Sequence, residues 1–222
     1  MKSTRLLLGF FGVVLLSTLS VRADNIVING TFETPVIAAD NYQYFTNGIP
    51  GWQLAWGHSV EIQSGIAGAP YQGNQFVELD SDGSSGIYQT LSTIPGQTYN
   101  LSFAFSPRPY IPAWENQLGV LWNGNMVADL GPVGGVGVTQ TEWSVYNYAL
   151  KATGESTRLE FEDLGPSDTY GTYIDSVAVS TAAPEPGSFF LIGGTLIAAA
   201  MGLKLFGKKR MIRLPAVSER AV

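Results

Sequence analysis

Cysteine is absent from the 222 residues, so no disulfide, thiol nucleophile or cysteine-ligated zinc can belong to this chain. Histidine occurs once, at His58, and neither GxSxG nor HExxH accompanies it, which leaves no ready-made hydrolase triad or zinc-protease helix. Basic residues are scarce through the long middle of the chain. Residues 24–183 hold sixteen acidic side chains and three basic ones (Arg108, Lys151 and Arg158), so 3 − 16 gives −13, against −6 for the whole chain. Such a segment repels phosphate backbones, and nucleic acid is excluded as a partner. Neutral ligands and divalent cations remain compatible. No long stretch of this segment carries helical periodicity either.

The long apolar runs that are present lie at the two ends. Lys2 and Arg5 precede an uncharged run at residues 6–19, and Val21-Arg22-Ala23 offers small residues where a signal peptidase reads. Residues 1–23 are therefore expected to be a signal peptide, cleaved before Asp24. Residues 188–207, SFFLIGGTLIAAAMGLKLFG, form a second apolar run, long enough as a helix to cross roughly 30 Å of hydrocarbon. Lys208, Lys209 and Arg210 follow it, and clustered positive charge marks the cytoplasmic side. The expectation is a membrane anchor at 188–207, a basic cytoplasmic tail at 208–222, and residues 24–181 outside the cytoplasmic membrane, with 182–187 as a linker.

Between the ends, short alternating runs separated by Gly, Asn, Ser and Pro predict strands. They fall at residues 25–28, 59–63, 75–79, 87–91, 98–105, 117–122, 126–130, 142–150, 157–161 and 172–180. Tyr99, Leu101, Phe103 and Phe105 share one face of their run, and Leu118, Val120 and Trp122 share one face of theirs. Asn123-Gly124 reads as the turn of a tight hairpin. Trp52, Trp122 and Trp143 are assigned to the core. About 160 residues suffice for one domain that buries about two-thirds of its unfolded surface. Ten short strands at this spacing imply an all-β fold, a jelly-roll β-sandwich.

Two resemblances add to this reading. Pro184-Glu185-Pro186, the apolar run and the basic cluster, in that order, resemble the PEP-CTERM sorting signal of Gram-negative bacteria. That resemblance implies processing by an exosortase after the signal peptidase, in species that secrete exopolysaccharide, and possible release to the cell surface or matrix. Twelve residues follow the basic cluster, where the family usually stops sooner. In the middle of the chain stand NGTFE at 29–33, GIPGW at 48–52 and GNQFVELDS at 73–81. GIYQTLSTIPGQTYNLSFAFSPRP at 86–109 and TRLEFEDLGPSDTYGTYIDSVAV at 157–179 complete the set. Together these motifs resemble domain-of-unknown-function family 642. The resemblance implies a galactose-binding-like jelly roll, a scaffold shared with many carbohydrate-binding modules, and so a polysaccharide partner.

Two constellations are candidate sites. In a jelly roll the terminal strands can run close together, so Glu33 and Asp175 could meet, with the Thr31 carbonyl as a third oxygen for a structural calcium ion. Related carbohydrate-binding modules open on a similar NG-x-FE motif and hold calcium there, as the resemblance implies. The alternative is a pair of solvated or hydrogen-bonded carboxylates. The segment 106–116 sets Arg108, Tyr110, Trp114 and Asn116 among three prolines, and Trp56, with His58, is expected to join them. Aromatic faces stack on sugar rings while Arg and Asn bond hydroxyls, and a proline-stiffened loop loses little entropy on binding. Arg108 could instead pair with a carboxylate. Asp80-Ser81-Asp82-Gly83 reads as a turn. Catalysis is not expected. Glu160 and Glu162 alternate on one strand face rather than facing each other across a cleft.

Overall fold

The computed structural model describes residues 24–182. The expected signal peptide, the Pro184-Glu185-Pro186 motif, the anchor and the basic tail lie outside the described residues. Among the described residues no helix is long and apolar enough to cross a membrane.

Period-two alternation produces eleven strands, numbered in chain order. They are β1 (Asn41–Phe45), β2 (Gln53–Trp56), β3 (Val60–Ser64), β4 (Phe76–Glu78), β5 (Gly86–Ser92) and β6 (Thr98–Ser106). After a single 3-10 turn at Ala113–Glu115 come β7 (Leu118–Trp122), β8 (Asn125–Leu130), β9 (Ser144–Lys151), β10 (Ser156–Asp163) and β11 (Tyr173–Thr181). They pair into a six-stranded sheet, β1-β3-β4-β11-β6-β9, and a five-stranded sheet, β2-β5-β10-β7-β8, with antiparallel pairing throughout. The fold is an all-β jelly-roll sandwich.

The core forms where the inner faces meet. Leu101, Phe103 and Phe105 of β6 point inward with Val60 and Ile62 of β3 and Val77 of β4; Leu118, Val120 and Trp122 answer from β7, and Leu159 and Phe161 from β10. Phe103 meets Phe161 edge-on at 5.1 Å, and Trp52 meets the same ring at 6.0 Å. Such edge-to-face pairs add about 0.5–1.5 kcal/mol each beyond the area they bury. Asn123 (φ 53°) and Gly124 (φ 79°) supply the two positive φ angles that a type I′ hairpin between β7 and β8 requires.

Four details differ from the sequence expectation. Residues 25–28 lie beside β11 without forming a strand. Ile26 N–H donates to the Val179 carbonyl at 2.8 Å, but the Asn25 side chain, not backbone, accepts the Val179 N–H at 2.9 Å. A side chain has replaced the next rung of the ladder. β1 and β2 were not anticipated. Both are largely exposed edge strands, so their apolar alternation is weak. Trp143 is not core. It is half-buried outside the sandwich interior, its indole N–H donating to the Ala69 carbonyl at 2.8 Å and its ring set edge-on to Phe76 at 5.6 Å.

Candidate functional site

Because Val60, Ile62 and Val77 point into the core, their neighbours Glu61, Gln63 and Glu78 face the other way, onto the outer face of the six-stranded sheet. Register sets Glu61 directly across from Glu78, and Glu78 across from Tyr173. All of them are buried, since loops cover this face. Two facing carboxylates repel unless something compensates. Arg108 does so. Its guanidinium forms an ion pair with Glu78, donates to the Thr169 carbonyl at 3.3 Å and lies over the Tyr170 ring at 4.9 Å. Gln63 and the Gly171 N–H (3.0 Å) also donate to Glu78. One arginine thus serves two acids. Burial, opposed by Gln63 and Arg108, pushes Glu61 up to about 7. Burial also raises Glu78, Arg108 opposing and Glu61 adding to the rise.

The loop from β6 to β7 is fixed from within. Asn116 is fully buried, and its Oδ1 accepts the Arg108 N–H at 2.8 Å. Tyr110 takes a left-handed φ of 67° while its N–H donates to the Val138 carbonyl at 2.8 Å, and its ring is 66 % exposed. The loop from β10 to β11 is pinned in the same way, with both oxygens of buried Asp80 accepting N–H groups, from Asp168 at 3.1 Å and Thr169 at 3.2 Å. Between these loops and residues 66–68 and 139–140 opens a cleft of about 760 Å³, lined by Arg108, Tyr110, Glu115, Asp168 and Tyr170 among others.

The expected ligand residues separate. Arg108 and Tyr110 line the cleft. Trp114 sits on the 3-10 turn, 56 % exposed, without lining it. Asn116 is a buried loop clamp with no surface to offer a ligand, and Arg108 is already committed to Glu78. Trp56 does not join them: it belongs to the five-stranded sheet, where its indole N–H donates to Glu162 at 3.2 Å. Tyr170, Glu115 and Asp168 were missed. Only the loop composition of residues 165–171, with one aromatic among small polar residues, could have pointed to two of them.

Glu33 and Asp175 both grip the 71–75 segment. Glu33 Oε1 accepts the N–H groups of Asn74 (2.8 Å) and Gln75 (3.1 Å), and Asp175 accepts those of Gln72 (2.9 Å) and Ser176 (2.6 Å). Burial raises Asp175 to about 7, the amides oppose it, and Glu33 adds to the rise. Neither carboxylate forms an ion pair, which fits a cation in charge. Among the described residues, however, no third acidic or histidine side chain completes a cluster able to hold a metal ion. A cation at this pair would therefore have to draw its further oxygens from the backbone, the Thr31 carbonyl among them.

The architecture defines a jelly-roll β-sandwich with a loop-built cleft over one sheet. The chain belongs to the family described as protein of unknown function, DUF642, whose model matches residues 25–180. A comparison with curated proteins finds no match. Among solved structures, the chain is similar to the Stig cyclase Fisc from Fischerella sp. TAU, crystallised with (3Z)-3-(1-methyl-2-pyrrolidinylidene)-3H-indole. Identity is 16 %, coverage is 74 % of this chain and 100 % of that one, and the TM-score is 0.51. TmCBM61 in complex with β-1,4-galactotriose matches at 14 % identity and a TM-score of 0.48, over 72 % of this chain and 100 % of its own. At these identities the likeness is one of fold.

Proposed function

We propose that this domain is a non-catalytic, polysaccharide-binding module of an exported protein, with the cleft beside Arg108 and Tyr110 as its sugar site. One observation carries the reading. Tyr110 and Tyr170, 66 % and 45 % exposed, both line a single cleft whose loops are clamped by buried side chains. Exposed rings on a rigid frame offer flat apolar faces to sugar C–H surfaces, and little ordering entropy is lost on binding. The DUF642 family and the jelly-roll fold are compatible with this reading, and the fold's likeness to cyclases brings no reaction with it.

The rest of the proposal concerns the ends of the chain: signal peptidase removes residues 1–23, an exosortase acts at the Pro184-Glu185-Pro186 signal, and residues 188–207 hold the domain outside the cytoplasmic membrane or release it to the exopolysaccharide matrix. The competing reading is a structural or adhesive matrix protein with no specific sugar. A glycan array probed with the full-length protein and its Tyr110→Ala variant separates the two. Retention of a glycan by the wild type, lost in the variant without a change in melting, is the expected result. An array on which nothing is retained favours the adhesive reading, and turnover of a retained glycan would make the domain an enzyme.

A further inference from the structure

Two residues lining the cleft are acidic, Glu115 and Asp168, and the charge of Asp168 acts on Glu115. Two more carboxylates stand close by. Asp80 holds the Asp168 and Thr169 N–H groups and repels both Glu115 and Asp163. Arg108, the basic residue that lines the cleft, spends its charge on Glu78. Arg108 also acts on Asp80, but among the described residues no ion pair reaches Glu115 or Asp168. Burial, then Asp168, then Asp80 push Glu115 above the usual carboxylate range.

A second observation points to a missing donor. Glu115 is only 4 % exposed, yet its Oε2 has no hydrogen-bond partner, and Asp163 Oδ2, in a residue 2 % exposed, has none either. Buried carboxylate oxygens are costly to leave unpaired, and of the two residues Glu115 lines the cleft, where a donating ligand could reach its carboxylate. The chemistry narrows the choice. A hard metal ion takes six to eight oxygens, and among the described residues no three acidic or histidine side chains converge to hold one. An ammonium group brings three directed N–H donors and a compact charge. Two carboxylates and one neutral acceptor would satisfy it, and Thr139 and Gln140 line the same cleft. The exposed ring of Tyr110 attracts a cation through its π face, whereas Tyr170 already carries Arg108 over its ring.

We propose that the cleft recognises an amine-bearing saccharide unit, its ammonium held by Glu115 and Asp168 and its ring lying against Tyr110. This rests on the polysaccharide-binding reading of the same cleft, and it replaces the neutral sugar that net charge alone suggested with a cationic one. The full-length protein is titrated calorimetrically, at mildly acidic pH, with a β-1,4-linked glucosamine tetramer and with its fully N-acetylated counterpart. The amine form is expected to bind at least about tenfold tighter, and Glu115→Gln and Asp168→Asn should each remove most of that preference. Tyr110→Ala should weaken both oligomers alike. Melting of each variant checks its folding, and the exposed position of Asp168 keeps the test open if Glu115→Gln unfolds. Equal affinity for the two oligomers, or a preference that survives both substitutions, overturns the amine site and leaves the polysaccharide reading standing. Calcium bound at this pair, and lost in Glu115→Gln, also overturns it. Spermidine bound through Glu115 while neither oligomer binds would keep a cation site and overturn its saccharide occupant. If none of these ligands binds, the amine site falls, and the glycan array decides the polysaccharide reading.

Discussion

Arg108→Ala is expected to destabilise the domain by about 3–5 kcal/mol near pH 10 and by much less near pH 5. The reason is the burial of what it leaves behind. Glu78 is 0 % exposed and lies directly across from Glu61, so without Arg108 two inward acids lose the one cation that serves them. Removing one partner of a buried ion pair strands a charge, which is the origin of that magnitude. The pH dependence follows from linkage. An unfolded glutamate titrates near about 4.3, whereas in the fold Glu78 is raised to about 8 even with Arg108 opposing burial. Over that window the folded state keeps a proton that the unfolded state has released, so stability falls as pH rises. Without Arg108 the folded values of Glu78 and Glu61 climb further, so the gap between variant and wild type stays small below pH 7, opens as pH passes through about 7 to 8, and widens above that. For a domain of this size each kcal/mol moves the midpoint by about 2–4 °C, so the loss near pH 10 is roughly 6–20 °C. Scanning calorimetry of both proteins across this range measures it. Arg108→Met combined with Glu78→Gln should recover part of the loss, because only Glu61 is then left buried without its cation. An unchanged melt near pH 10, or an equal loss there and at pH 5, would refute the reasoning and return Arg108 to the ligand.

Four further outcomes follow from the same structure. Glu61, Asp163 and Asp175 are each raised to about 7, chiefly by burial; their contribution is full below the ordinary carboxylate pKa of about 4 and is lost as pH rises through about 7. The wild-type melting temperature should therefore fall between pH 5 and pH 8, and a flat or rising profile contradicts this. Calcium, if it binds through Thr31, Glu33 and Asp175, should raise the melt by about 2.7 kcal/mol at a hundredfold excess over Kd; Asp175→Asn should abolish the effect, and identical curves in calcium and in chelator remove the ion. Trp52→Ala should cost about 3–5 kcal/mol, since its ring is 1 % exposed against Phe32 and Phe161. Trp114→Ala should stay within about 0.5 kcal/mol of wild type by chemical denaturation, as a surface position does.

The sequence by itself determined the sandwich. Period-two alternation in residues 98–105 and 117–122 became β6 and β7 with the faces assigned, and Asn123-Gly124 became their neighbouring hairpin turn, because these signals are local. It also singled out Arg108 and Tyr110, which do line the cleft, and set Glu33 near Asp175. What it could not decide was pairing across the sheet. Whether Arg108 meets a sugar or Glu78 depends on residues thirty apart brought together by strand order. Whether Trp56 joins the cleft depends on which sheet β2 enters, and β2 pairs with β5 on the far side of the sandwich. Trp143 looked like core because tryptophan usually is, and only the fold set it outside, against Phe76. Glu115 and Asp168 lie 53 residues apart in the sequence, and no spacing rule joins them. They meet because Asp80 pins one loop and Asn116 closes the other, both through side chains that burial leaves no alternative partner.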